Sequence, residues 1–166
     1  MSSSTHSAMI MAGGTGGHVY PGLAVASALR EAGWRVSWIG TARGLEARVV
    51  PVSGMTLHTL TTLGLRGKGI LSRLKGVFSL LFACLQALGL LLRHRPTLVI
   101  GFGGYAAGPA GAVATILRIP VLIHEQNAVA GTTNRLLARG ACRVMAGFEG
   151  AFALPAQSLV TGNPLR

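Results

Sequence analysis

The chain has 166 residues, of which 50% are hydrophobic and 11% are charged, which fits one domain with its own buried core and excludes the disordered class. Lys and Arg number 15 against four acidic residues, and the formal net charge of +11 favours an anionic partner such as a phosphorylated substrate or an anionic membrane surface. Because the chain contains no Asp, a DxD-type metal motif is excluded, and we expect neither a metal site nor a covalently bound cofactor. The basic residues are scattered and form no nucleic-acid-binding motif, so we expect no nucleic acid as a partner.

Residues 1–7 are polar and carry no Lys or Arg, which predicts a flexible tail rather than a signal peptide. A short apolar run over 8–13 then predicts a strand that ends in a turn with four glycines. His18 follows this turn directly, and Pro21 opens a helical pattern over 21–32. Glycines let the backbone approach a ligand closely, and the N–H groups at a helix start favour an anionic group such as a diphosphate.

Three interpretations of this glycine turn compete with a diphosphate site. The dinucleotide fingerprint G-x-G-x-x-G lacks its third glycine, because that position is Val19, and the acidic residue expected after the second strand is missing. The phosphate loop of NTPases requires Gly-Lys-Ser/Thr, whereas here Gly17 precedes His18. The remaining alternative is a turn that only connects a strand to a helix.

The rest of the chain alternates short apolar runs with helical patterns, one of which is stopped by Pro51. Strands that alternate with helices predict a mostly parallel sheet covered by helices on both faces, which is a Rossmann-like α/β fold. The predicted strands are 35–40, 55–60, 97–102, 120–124, 142–147 and 157–161, and the predicted helices are 44–50, 69–93, 108–118 and 131–139.

The predicted helix over 69–93 contains 17 consecutive uncharged residues, 76–92, at the lower limit of about 17–25 residues for a bilayer span. A crossover helix packs one face on the sheet, so the alternatives to a span are a buried crossover helix and a helix that lies on a membrane surface. We expect the amino-terminal half to contact an anionic membrane and the rest to pack in the core. The predicted membrane-contact residues are Lys68, Ile70, Leu71, Arg73, Leu74, Lys75, Val77, Phe78, Leu81 and Phe82.

Glycines and polar side chains also follow two later strands. Because the carboxyl ends of parallel strands share one edge of a sheet, we expect these residues to meet the first glycine turn in one cleft. They are Gly103, Gly104 and Tyr105 after the strand 97–102, and His124, Glu125, Gln126 and Asn127 at the end of the strand 120–124.

Four segments occur in the same order as in the MurG family, and the chain resembles that family from about Ala8 to Arg166. The segments are Gly13-Gly14-Thr15-Gly16-Gly17-His18, Gly103-Gly104-Tyr105, His124-Glu125-Gln126-Asn127 and Gly162-Asn163-Pro164-Leu165-Arg166. The family consists of N-acetylglucosaminyltransferases that convert lipid I to lipid II in peptidoglycan synthesis. Its members have two Rossmann-like domains that face each other across a cleft, the GT-B architecture. The resemblance implies that residues 8–163 are the amino-terminal, acceptor-binding domain, that 164–166 begin the interdomain linker, and that the carboxy-terminal, donor-binding domain is absent.

The reaction implied by the resemblance is an attack of the C4 hydroxyl of MurNAc in lipid I on the anomeric carbon of UDP-GlcNAc, with inversion. His18 is the first candidate for the general base, because an imidazole titrates near neutrality, and Glu125 is the alternative base or a group that orients a histidine. The implied donor-binding residues are Thr15, Gly16, Gly17, Asn127 and Arg166. The expected acceptor and diphosphate contacts are Gly13, Gly14, Gly103, Gly104, Tyr105 and His124.

The implied partners are UDP-GlcNAc, lipid I, an anionic membrane surface, the carboxy-terminal domain and cell-wall synthesis proteins. The implied location is the cytoplasmic face of the bacterial inner membrane, as a peripheral protein. The two isolated cysteines, Cys84 and Cys142, give no disulfide framework and are compatible with the cytosol. We expect the half-enzyme to be inactive alone. A non-enzymatic membrane-binding module and an NAD-dependent Rossmann enzyme are the alternative classes.

Overall fold

The computed structural model describes residues 6–61, 70–153 and 158–164, and the side chains of 70–73 lie outside that description. Strands and helices alternate along the chain, as the sequence predicts. The strands are β1 (Ser7–Ala12), β2 (Arg35–Gly40), β3 (Thr56–Thr59), β4 (Leu98–Gly103), β5 (Val121–Glu125), β6 (Arg143–Ala146) and β7 (Leu159–Val160). The helices are α1 (Gly16–Glu31), α2 (Glu46–Val52), α3 (Ile70–His94), α4 (Ala107–Ile116) and α5 (Thr132–Leu137).

The strands form one parallel sheet in the order β3-β2-β1-β4-β5-β6-β7. Chain order runs outward in both directions from β1, so the switch point of the topology lies between β1 and β4. In open α/β sheets, ligands bind in the crevice at the carboxyl ends of the strands beside such a switch point. The register between β1 and β4 shifts at Met11/Ala12, immediately before the first glycine turn. The Rossmann-like fold is therefore confirmed, and the two glycine clusters lie at its ligand-binding edge.

Helices cover both faces of the sheet, and the side chains of β1 alternate between two buried clusters. Met9 and Met11 face a cluster that includes residues of α3, α4 and α5, whereas Ile10 and Ala12 face a cluster with residues of α1 and α2. A strand buried on both faces has no polar side, which explains the continuous apolar run that predicted it. The buried Trp38 donates its Nε1–H to the carbonyl of Ala12 at 2.7 Å and thus ties β2 to the end of β1.

Two helices contain a proline that the predictions placed at a helix boundary. Helix α1 begins at Gly16, five residues before the predicted start, and Pro21 lies inside it. At that place Pro21 removes only the hydrogen bond to the carbonyl of Gly17, a small loss for a helix packed on the sheet. Pro51 likewise lies inside α2 and does not stop it. In α1 tertiary packing outweighs the local preference of proline for a helix start, whereas α2 ends one residue after Pro51.

The predicted flexible tail over 1–7 is wrong at its last residue. Ser7 is the first residue of β1, where its N–H donates to Thr97 Oγ1 at 3.1 Å and its carbonyl accepts from the N–H of Thr97 at 2.8 Å. The ring of His6 lies 5.0 Å from that of Trp34. Residues 1–5 lie outside the described residues.

Candidate functional site

Helix α1 begins after the first glycine turn, and its first turn lies beside the end of β4. Thr15 precedes the helix in an extended conformation and makes no side-chain cap. Among the residues that the structure describes, no hydrogen-bond acceptor faces the N–H groups of Gly16 and Gly17. His18 lies one turn into the helix, half-buried, with its Nδ1 3.4 Å from Thr15 Oγ1. Two open donors and a titratable ring therefore lie side by side at the positive end of a 16-residue helix.

The two glycine clusters contact each other, as the sequence predicts for one cleft. A Cβ atom at Gly103 would lie 3.0 Å from Cδ2 and 3.1 Å from Nε2 of the His18 ring. A Cβ at Gly104 would clash with the backbone carbonyl of Gly13. Both Gly103 and Gly104 have positive φ angles, +99° and +87°, which an L side chain rarely adopts. The glycines at these positions are thus required for the close approach of the two turns.

Glu46 is a site residue that sequence reasoning missed. Its side chain is fully buried beneath the first glycine turn, where Oε2 accepts the N–H of Gly14 at 2.9 Å. Oε1 accepts the N–H and the hydroxyl of Thr41, each at 2.8 Å. The N–H of Gly14, which we expected to contact a diphosphate, is therefore already occupied. Gly13 has no room for a side chain, because a Cβ there would lie 2.6 Å from Glu46 Oε1.

Glu125 lies buried at the end of β5 and accepts four hydrogen bonds. Asn127 donates from its backbone N–H at 3.0 Å and its Nδ2 at 2.8 Å, Gly131 donates from its backbone at 3.0 Å, and Asn134 donates from Nδ2 at 2.9 Å. Burial raises the pKa of the carboxyl group, but these hydrogen bonds outweigh burial and leave the pKa below its ordinary value. A carboxylate with a lowered pKa and four donors organises its surroundings and is a weak base. This geometry favours the structural alternative for Glu125.

His124 was expected to contact the acceptor, but the structure turns it into the protein. The ring is 3% exposed, and its Nε2 lies 3.0 Å from the carbonyl of Gly162. Its Nδ1 lies 3.2 Å from Nε2 of Gln126. Burial lowers the pKa of His124 against the opposing effects of the Gly162 carbonyl and the Glu125 charge. The side chain therefore joins β5 to the segment after β7 and is not available to a ligand.

Asn134 is a second residue that sequence reasoning missed. It is buried in α5, where Nδ2 donates to the His124 carbonyl at 3.2 Å and to Glu125. The same nitrogen would lie 3.4 Å from a Cβ at Gly103, so Asn134 connects the Glu125 network to the second glycine turn, beside which the His18 ring lies. Its position three residues before the buried Leu137 was a usable sequence signal, because helix residues spaced by three lie on one face.

The remaining predicted ligand residues differ in how far the structure describes them. Tyr105 is 43% exposed beside the second glycine turn, and Asn127 is exposed at the end of β5. Both residues are therefore accessible from solvent, and the Asn127 side chain is held by its hydrogen bond to Glu125. Arg166 lies outside the described residues. No group of three His, Cys, Asp or Glu side chains within the described ranges is arranged to hold a metal ion.

Helix α3 forms a second surface of interest. Its buried face is made of small residues and one leucine, Gly76, Ser79, Ala83, Ala87 and Leu91. The exposed face consists of Leu74, Val77, Phe78, Leu80, Leu81, Phe82, Leu85 and Leu92, which we call the α3 face. Leu74–His94 is the one stretch of the described chain that is long and apolar enough to cross a membrane by length and composition.

The prediction that the rest of α3 packs in the core holds for only one face of that half. Leu85 and Leu92 in that half are 65% and 52% exposed, because the sheet-facing positions recur every three or four residues along the whole helix. Leu74, Lys75, Val77, Phe78, Leu81 and Phe82 are exposed as the membrane hypothesis requires. Lys68 and the side chains of Ile70, Leu71 and Arg73 lie outside the described residues.

Comparisons with known proteins agree with the fold and the motifs. Residues 8–146 match the Glycosyltransferase family 28 N-terminal domain. Curated relatives from Methylococcus capsulatus and Alkalilimnicola ehrlichii are 55% and 57% identical over 158 residues, 95% of this chain and 45% and 44% of the relatives. Both are named UDP-N-acetylglucosamine--N-acetylmuramyl-(pentapeptide) pyrophosphoryl-undecaprenol N-acetylglucosamine transferase. The crystal structure of Acinetobacter baumannii MurG is similar with a TM-score of 0.85 and 41% identity, over 97% of this chain and 46% of that chain.

The chain spans about half the length of these relatives. The resemblance to the MurG family is confirmed by the named relatives and by the solved MurG structure, and the expected Rossmann-like half of a GT-B glycosyltransferase agrees with them in fold and length. Because the match covers most of the chain, from the first strand to β6, the chain belongs to glycosyltransferase family 28 and contains its N-terminal domain.

Proposed function

We propose that this chain is the acceptor-binding half of an enzyme that transfers GlcNAc from UDP-GlcNAc to the C4 hydroxyl of MurNAc in lipid I, with inversion, to make lipid II. One observation carries the proposal: the His18 ring lies against Gly103 at the switch point, beside the open N–H groups of Gly16 and Gly17. A base and a diphosphate site are the two features that such a transfer requires. The names of the curated relatives support the choice of substrates.

In the proposed reaction His18 takes the proton of the acceptor hydroxyl. The hydroxyl oxygen bonds to the anomeric carbon as the bond from that carbon to the diphosphate oxygen breaks, and UDP leaves with the electron pair. The N–H groups at the start of α1 stabilise a diphosphate. His18 is favoured over Glu125, since the histidine faces the crevice whereas the carboxylate is buried among four donors. Thr15, Gly16, Gly17, Asn127 and Arg166 are proposed to reach the donor, and Tyr105 to position the acceptor.

The test joins residues 1–166 to the carboxy-terminal half of the Methylococcus capsulatus relative and measures transfer of labelled GlcNAc to a soluble, short-chain lipid I analogue. We expect the fusion to be active and the 166-residue chain to bind the analogue without turnover. In the fusion, His18→Ala should lower kcat by about 10²–10⁴, the usual contribution of a general base. A β-configured product would establish inversion.

Three results would count against this proposal. Turnover by the 166-residue chain alone would refute the prediction that this half is inactive without its carboxy-terminal partner. Full activity of the His18→Ala fusion would remove His18 as the base. Tight UDP-GlcNAc binding by the chain without analogue binding would mean that donor and acceptor are assigned to the wrong halves. A thermal shift with NAD would instead support the Rossmann dehydrogenase class.

The α3 face supports a second part of the proposal, peripheral binding to the cytoplasmic face of the inner membrane. Exposed apolar side chains on one helix, next to Lys75 and to Arg93 at its end, form the combination that binds anionic lipid surfaces. Sedimentation with anionic and neutral vesicles tests it. A purely membrane-binding module would bind anionic vesicles but ignore the lipid I analogue, and this outcome would replace the transferase proposal. Binding to cell-wall synthesis proteins is a further proposal that pull-down with purified candidates would test.

A further inference from the structure

Glu46 is a buried acid whose carboxylate accepts three hydrogen bonds. Within the described part of the chain, no Lys or Arg side chain forms an ion pair with it, and its three partners are the N–H of Gly14 and the N–H and hydroxyl of Thr41. Burying a carboxylate is costly unless charge-assisted hydrogen bonds replace water. An apolar side chain would fill the same space but would leave the N–H groups of Gly14 and Thr41 without a protein acceptor, so the oxygen atoms of Glu46 hold the two loops together.

The space around the Glu46 carboxylate is formed by glycines from three segments. A Cβ at Gly13 would lie 2.6 Å from Oε1, a Cβ at Gly40 would lie 2.6 Å from Cγ, and a Cβ at Gly44 would clash with the carboxylate. Gly44 also donates its N–H to Thr41 Oγ1 at 3.2 Å. The ends of β1 and β2 and the start of α2 are therefore arranged around this one side chain.

The hydrogen bond to Gly14 decides which N–H groups of the first turn face the crevice. Gly14 has φ of +93°, and its N–H points down to Glu46 Oε2. The next N–H groups without a protein acceptor among the described residues include those of Gly16 and Gly17. On its other side, Gly13 is held against Gly104 of the second turn. The first glycine turn is thus held on one side by the Glu46 carboxylate and on another by the backbone of Gly104.

We propose that Glu46 is a positioning residue that occupies the Gly14 N–H and thereby directs the diphosphate of a substrate onto Gly16 and Gly17. This inference depends on the proposed function, because it assumes a diphosphate ligand at this turn. Two substrates of that function carry the group, lipid I and UDP-GlcNAc. The N–H groups of Gly16 and Gly17 suit a diphosphate from either substrate, and the experiment below distinguishes lipid I from UDP-GlcNAc.

The experiment follows backbone amide signals of the 15N-labelled 166-residue chain during titration with the soluble lipid I analogue and, separately, with UDP-GlcNAc. We expect one of the two ligands to shift the Gly16 and Gly17 signals most strongly and to leave Gly14 nearly unchanged and protected from hydrogen exchange. The ligand that does so identifies the source of the diphosphate. This arm needs no substitution, so it stands even where a variant fails to fold.

A second arm compares Glu46→Gln with Glu31→Gln, an exposed glutamate at the end of α1. Glutamine keeps the size of the side chain but turns an N–H₂ group toward Gly14 or Thr41. We expect affinity for the diphosphate ligand to fall about tenfold in Glu46→Gln, as for one lost charge-assisted hydrogen bond, and to stay unchanged in Glu31→Gln. In the fusion, KM for that substrate should rise by the same factor while KM for the other is unchanged. A merely structural role would lower the active fraction and leave both KM values alone.

The outcomes separate the two proposals. If the ligand shifts Gly14 as strongly as Gly16, or if Glu46→Gln binds as tightly as the wild type, the inference about Glu46 is wrong while the proposed function stands. If the wild-type chain binds neither ligand, the acceptor-binding function and the inference both fail. Thr41→Val, which removes the hydroxyl contact to Glu46 at 2.8 Å and the acceptor of the Gly44 N–H, should weaken binding less than Glu46→Gln.

Discussion

The ring of His18 lies across the switch point of the sheet, against the space that a side chain on Gly103 would fill. A methyl group on Gly103 would lie 3.0 Å from Cδ2 of the imidazole, closer than a relaxed contact allows. His18 lies in the first turn of the helix after β1 and Gly103 ends β4, so this relationship joins two motifs that are about 85 residues apart in the chain. The position of the proposed base is therefore set by the absence of a side chain on its neighbour.

Gly103→Ala is expected to displace the His18 ring. Gly150→Ala is the matched control, because Gly150 also has a positive φ, +74°, but its added methyl group would meet nothing within 4 Å. Each substitution should cost about 1–2 kcal/mol of folding free energy from the positive φ. Only Gly103→Ala should also lower the transfer rate of the fusion. Urea unfolding and transfer assays measure the two effects, and equal activity of both variants would contradict the role given to this contact.

Glu125→Gln should destabilise the fold by about 1.5–3 kcal/mol, because the carboxylate accepts four hydrogen bonds, including two from Asn127. Since the folded-state pKa of Glu125 lies below its ordinary 4.5, its contribution is complete above that value and is lost as pH falls through the lower folded pKa. Urea unfolding at pH 7 and in acid should therefore show that acid lowers the free energy of unfolding less in the variant than in the wild type. Glu149→Gln, at an exposed position, should match the wild type at both pH values.

Phe78→Gln should weaken sedimentation with anionic vesicles without unfolding the protein, because the side chain is 69% exposed on the α3 face. Leu85→Gln, on the same face at 65% exposure, should have a similar effect if the whole helix contacts the membrane. Val52→Gln is the control, since Val52 is 89% exposed but belongs to α2. Loss of vesicle binding in all three variants would point to general hydrophobicity and would contradict a specific membrane face.

His58 should make the fold less stable in mild acid. Burial, and then the positive charges of His94 and Arg93, lower the pKa of His58 below its ordinary 6.5, and the two rings lie 4.5 Å apart. Because the folded state disfavours the proton, the contribution of His58 is complete above pH 6.5 and declines as pH falls from there toward the folded pKa. His94→Gln removes one of the two charges that lower the pKa of His58, so it should reduce this loss of stability in acid. If the free energies of unfolding of the wild type and of His94→Gln change in parallel between pH 7.5 and 5, His58 and His94 are not coupled.

Local patterns determined much of the fold. Alternating apolar runs and helical periods predicted the strands and helices to within a few residues, since a strand buried on both faces needs an unbroken apolar run. The glycine clusters after the first and fourth strands predicted a shared cleft, because the carboxyl ends of parallel strands lie on one edge. Proline was the least reliable local signal, as Pro21 and Pro51 both lie inside helices.

By itself, the sequence determined the element types, the family and the edge of the sheet where the glycine turns and His18 lie, because short-range periodicity and turn chemistry encode them. Only the tertiary structure decided what the acids do. Glu46 bonds Gly14 from 32 residues away, and Asn134 bonds Glu125 from the following helix. The tertiary structure also turns the His124 ring inward to the carbonyl of Gly162, which lies 38 residues further along the chain. A buried polar group takes its role from donors and acceptors that the fold brings near, and no local pattern contains them.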